Sequence, residues 1–163
     1  LAMGNTFGAA AAAAVAWTGV EWLVKGKPTS LGFITGLVIG LVAVTPAAGF
    51  AGPMGAVLLG LVAGLAGFLA CTWLKRLLGY DDSLDVFGVH CIGGILGALA
   101  TGLLVAPALG GTGVADFTAN PGQITIVYDL PSQMAAQIKT VVFTLVWSGV
   151  LSAVFFRLID LTI

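Results

Sequence analysis

His90 is the only histidine in the 163 residues, and it stands in an apolar, glycine-rich run, VFGVHCIGGILGALATGLL. An imidazole donates and accepts hydrogen bonds and titrates near neutrality, so it can take up and release a proton. Two acids, Asp82 and Asp85, lie just before the run. Asp82 suits a helix N-cap, and Asp85 falls where a helix dipole favours a carboxylate. The alternative use of the pair is a negative vestibule that attracts cations or steadies a nearby loop. A continuous helix from Asp82 would carry His90 roughly 12 Å along the axis, beyond direct reach of either carboxylate. On one helical face His90 would have Val86 and Phe87 to one side and Gly93, Gly94, Gly97 and Thr101 to the other, leaving a narrow apolar passage beside the ring. A lone histidine without an acid or cysteine at ligand spacing makes no zinc site. The sequence also has no serine–histidine–acid set and no phosphate loop, so it reads as a non-enzyme without a cofactor.

The elements that must position these residues are built for lipid. Hydrophobic residues make up 59% and charged residues 8% of the chain, and the mean hydropathy is +1.10. Soluble domains carry roughly a quarter charged residues. Several runs reach the ~20 apolar residues that a helix needs to cross a bilayer. Segments alternating like the strands of a membrane barrel do not occur. The expected class is therefore all-α, a polytopic transmembrane bundle in one membrane domain over residues 1–163. A net charge of −1 gives no basic surface for nucleic acid. The start, LAMGNTFG, lacks the basic region of a signal peptide and reads as the middle of a longer polypeptide.

Apolar runs and helix breakers predict five spans, at about residues 5–24, 30–50, 53–78, 83–106 and 132–161. Thr45-Pro46 and Gly49 should kink or break the second near its far end. A polar, glycine-rich connection, LGGTGVADFTANPGQITIVYDL, leads to the fifth, which is longer than a bilayer requires and should tilt or protrude. Under this reading Lys25, Lys27, Lys75, Arg76 and Arg157 share one side, against Lys139 on the other. The positive-inside rule makes the basic side cytoplasmic, with the N-terminus outside and the C-terminus inside.

Glycine pairs at four-residue spacing, Gly4/Gly8, Gly36/Gly40, Gly60/Gly64 and Gly93/Gly97, predict close helix–helix seams. Cys71 and Cys91 fall inside spans and read as small packing residues rather than as a bridge or metal ligands.

The run DDSLDVFGVHCIGG resembles the second-half histidine motif of the ammonium transporter (Amt/MEP/Rh) family. So do KGKPTSLGFITGLVIGLVAVTPAAGFAGPMGA, WLKRLLGYDD and VWSGVLSAVFFRLIDLTI, in the family's order and over about residues 17–163. TPAAGFAGP and DVFGVH are closer to the Amt branch. The resemblance implies a trimeric fold of about eleven helices, built from two inverted repeats of five plus a long last helix. These spans would be the seventh to eleventh, the C-terminal half.

It further implies transport of ammonium or ammonia, with methylammonium as analogue, through a hydrophobic pore holding a histidine pair. His90 matches the second histidine and Asp82 the acid that begins its helix. The first-half histidine is not in this chain, so the partner ring would come from the missing N-terminal half. Val86 and Phe87 would shape the cytoplasmic end of the path. Location in the inner (plasma) membrane and a homotrimer are expected. A PII-type regulatory protein would dock on the loops holding Lys25–Lys27 and Lys75–Asp85, unless those cations serve only as topology anchors. A sensor or fragment of the same fold that binds ammonium without transporting it is the alternative.

Overall fold

Glycine and proline punctuate the apolar runs into five helices in the computed structural model, which describes residues 1–120 and 123–163. Helix α1, Ala2–Lys25, ends at Gly26, whose φ of 77° places it in the left-handed region open to glycine. Helix α2, Ser30–Val44, starts at Thr29, whose hydroxyl accepts from the Gly32 amide at 3.0 Å. It stops at Val44 rather than continuing to Phe50, since Pro46 has no N–H to donate and the chain runs on as turns. Buried Asn5 closes this break by donating its amide to the carbonyls of Ala48, at 2.9 Å, and Ala51, at 2.8 Å. Carbonyls freed inside a bilayer need such partners.

Helix α3, Pro53–Leu78, carries a π-helical segment over Ala70–Leu74 and ends at left-handed Gly79. Helix α4, Phe87–Leu104, opens directly on a second π-helical segment, Phe87–Ile92. It starts later than the expected Ser83 because Asp85 has a φ of 55°, which no right-handed helix accommodates. Helix α5, Leu130–Thr162, is capped by Asp129, whose side chain accepts from the Ser132 amide at 3.0 Å. Among the described residues, α1, α3, α4 and α5 are long and apolar enough to cross a membrane. With 15 residues, α2 extends only about 22 Å against a core of ~30 Å. The second of the five expected spans is thus a short apolar helix followed by turns.

Helix α1 packs against both α2 and α3. A Cβ at Gly36 or Gly40 would collide with the α1 backbone at Ala14 or Ala10, and one at Gly60 or Gly64 with that at Ala9 or Ala13. Gly97 approaches the backbone of Ala43 on α2, and Gly93 meets Ile39. Three of the four glycine pairs are therefore close seams. Gly4 faces open space and Gly8 makes only ordinary contact with Val57. Trp17 and Phe68 meet edge to face at 5.7 Å inside a core that includes Ile39, Ala43 and Ala63. Helix α5 contacts α4 and buries none of its residues.

The connection before α5 contains a hairpin that the sequence reading left irregular. Strand β1, Val114–Asn120, pairs antiparallel with β2, Gln123–Val127, with Val114 opposite Val127. The β-branched run Ile124–Val127 supplies the propensity. Pro121 and Gly122 of that connection lie outside the described residues. The hairpin is pinned at both ends, where Thr112 N–H donates to Phe50 O at 2.9 Å and Tyr128 O–H to Gly102 O at 3.0 Å. Apart from it the fold is an all-α membrane bundle.

Candidate functional site

The π-helical opening of α4 decides where His90 points. In a π segment the hydrogen bonds run i to i+5, so each turn takes up more residues than an α-turn and the side chains change phase. His90 is exposed and lines a groove of about 290 Å³ between α4 and α5, together with Cys91, Gly94, Ala98, Thr140 and Thr144. Among the described residues its ring has no hydrogen-bond partner. The single glycine face expected beside the histidine is split. Gly94 shares the groove, whereas Gly93, Gly97 and Thr101 are buried. The later helix start puts His90 four residues past Val86, within the π-helical opening, rather than eight residues along a continuous α-helix from Asp82.

The two acids differ sharply in task. The Asp82 carboxylate accepts from the amides of Val86, at 2.9 Å, and Phe87, at 2.8 Å, and so satisfies free donors of the first turn. Asp85 is paired instead with Lys75, Nζ to Oδ1 at 2.9 Å, and the same ammonium donates to the Asp82 backbone carbonyl. Lys75 reaches this turn from α3, directly after its π segment. A Cβ at Gly88 would strike Cys71 Sγ, so the two π segments lie in close contact.

Val86 and Phe87 are exposed but do not line the His90 groove. Phe87 packs edge-on against Tyr80 with ring centroids 5.1 Å apart. Burial, aided by the neighbouring Asp82 carboxylate, raises the Tyr80 hydroxyl above its ordinary value and keeps it neutral.

Sequence reasoning passed over Glu21. This carboxylate is 2% exposed, and it accepts from Lys25 Nζ at 3.0 Å and from the Thr29 amide and hydroxyl at 3.1 Å each. It thereby ties the end of α1 to the start of α2. Two signals were available in the sequence, an acid inside an apolar span and a lysine four residues on. Cys71 is free and buried, and Cys91 is free and half-buried. Among the described residues no cluster of metal-ligating side chains forms.

Comparison with known proteins extends this geometry. The model of the Ammonium Transporter Family matches residues 1–163, the whole chain. The ammonium transporter of Aquifex aeolicus is 43% identical over 153 residues, covering 94% of this chain and 34% of the relative. The crystal structure of Mep2 from Saccharomyces cerevisiae aligns with a TM-score of 0.80 at 28% identity, covering 98% of this chain and 37% of that one. A sensor Amt protein aligns at 0.81 with 23% identity, a likeness of fold. The chain thus spans about a third of the length of the relatives it matches. It is a multi-pass membrane protein of a family of non-enzymatic transporters. A whole-chain family match, the helical membrane bundle and the relative from Aquifex aeolicus agree: this chain belongs to the ammonium transporter family.

Proposed function

We propose that this chain forms the C-terminal half, helices seven to eleven, of an ammonium-transport pore, and that His90 supplies one ring of the pore's histidine pair. The observation that carries this reading is the exposed His90 ring in a groove of apolar and small side chains, an expensive placement for a lone imidazole in a lipid-spanning helix. Moving intact ammonium into such surroundings costs many kcal/mol. Deprotonating it and passing neutral ammonia avoids that cost, and an imidazole that donates and accepts suits the exchange. Potassium has no proton to give up and is rejected despite its similar size.

In this reading Val86 and Phe87 border the cytoplasmic end of the path. Asp82 fixes the start of the helix, and Asp85, paired with Lys75, steadies the loop before it. The second ring comes from the N-terminal half. The basic residues put the C-terminus in the cytoplasm. The assembly is a homotrimer in the plasma membrane. A PII-type regulator would meet the loops at Lys25–Lys27 and Lys75–Asp85, where Lys25 and Lys75 are already engaged by Glu21 and Asp85.

The test is labelled methylammonium uptake by the complete transporter carrying His90→Ala. Uptake should collapse or lose selectivity over potassium, and unchanged selective uptake would remove His90 from the path. Ammonium binding with no uptake by the unsubstituted protein would instead mark a sensor.

A further inference from the structure

We infer that Lys75 is a positioning residue for His90, acting through Asp85 across the contact between the two π-helical segments. This deepens the proposed role of His90 and rests on it for its functional meaning. Asp85 is the only non-glycine residue with positive φ among the described residues, at 55°. The left-handed region is unfavourable for most side chains with a Cβ, and aspartate is one of the few that visit it, so neighbouring contacts can tip the balance toward it. Lys75 supplies those contacts. Its ammonium grips Asp85 Oδ1 at 2.9 Å and the carbonyl of Asp82, two points on one turn. With the turn pinned, the Asp82 carboxylate reaches the Val86 and Phe87 amides, and the Val89 amide reaches the Asp85 carbonyl at 2.9 Å.

These bonds fix the first turn of the segment that carries His90. A helix started at Ser83 would continue with ordinary α-phase and turn the ring toward a different face. Lys75 adjoins the π segment of α3, and Gly88 packs on Cys71 within that segment, so clamp and contact act on the same pair of elements. The clamp and the ring are fifteen residues apart in sequence, and no spacing rule links them.

The complete transporter with labelled histidine is placed in lipid nanodiscs, and the His90 ring nitrogen resonances are assigned by their loss in His90→Ala. Lys75→Met removes the clamp and should shift or double the His90 signals. Lys75→Arg keeps a cation there and should restore the original spectrum. Asp85→Asn tolerates the left-handed backbone while losing the charge, so it retains the fold and should shift the signals as Lys75→Met does. His90 signals in Asp85→Asn that match the unsubstituted chain would overturn the inference. Failure of the uptake test on His90→Ala would overturn the transport role alone and leave these spectra unaffected.

Discussion

Glu21 and Lys25 form an ion pair at 3.0 Å in which the carboxylate is buried, with 2% of its side chain exposed, and the ammonium is half in the open, at 49%. The buried partner is the one with more work, since it also receives the amide and hydroxyl of Thr29. The loop between α1 and α2 is thus organised by a single carboxylate. A Cβ at Gly32 would strike that carboxylate, so glycine is what lets α2 start so near to it.

Glu21→Ala should therefore loosen the α1–α2 connection. Hydrogen bonds to a charged group contribute about 1.5–3 kcal/mol each where they are buried. A loss of about that size overall, read as a lower midpoint of unfolding in detergent, is the expected outcome. Glu21→Gln keeps part of the bonding and should fall between. Equal stability of all three proteins would mean that the loop is held elsewhere.

The seams predict opposite outcomes for one chemical change. Gly60→Ala places a methyl group against the backbone of Ala9 and should destabilise the bundle by about 1–3 kcal/mol through overpacking. Gly4→Ala meets nothing within 4 Å. It should be neutral or gain the ~0.5–1 kcal/mol that alanine offers over glycine in a helix. Paired thermal-unfolding measurements check the contrast.

Gly94 offers a way to block the groove without touching His90. A Cβ at this position meets nothing within 4 Å, and the residue lines the groove beside the ring. Gly94→Leu should lower methylammonium uptake at least tenfold in the complete transporter while leaving its unfolding midpoint in place. Full uptake by a stable Gly94→Leu protein would place the path elsewhere.

The cap of α5 should respond to acid. Hydrogen bonds from Ser132 hold the Asp129 carboxyl below its ordinary range. A carboxyl depressed in the folded state stabilises the cap above its unfolded pKa, and the contribution fades as pH falls through the folded value. The Ser132 amide resonance should therefore move with a midpoint below that of a free aspartate. Asp129→Asn should retain the cap and abolish the titration.

The helices were legible because length, apolarity and Gly/Pro punctuation act locally. The ends of α1 at Gly26 and of α3 at Gly79 follow from residues next to them. The family was legible too, through motifs that span the chain. The departures arise where distant residues decide. The start of α4 shifts at Asp85, whose left-handed backbone is contacted by Lys75 from another helix. The π phase around His90 depends on packing between segments, as at Gly88 and Cys71, and no hydrophobic period announces it. Glu21 was legible in principle, but its partner Thr29 lies across a turn. The hairpin was hidden because a short β-branched run inside a polar connection is a weak signal.

Asn5 carries a consequence for biogenesis. The two carbonyls that it satisfies, at Ala48 and Ala51, belong to a turn made more than forty residues after it. Synthesis runs from the N-terminus, so their partner has already been made when the broken end of α2 is delivered to the bilayer. With the two swapped in chain order, bare carbonyls would have waited in hydrocarbon for a donor still inside the ribosome. The order of these segments along the gene is thus matched to the order in which the membrane must receive them.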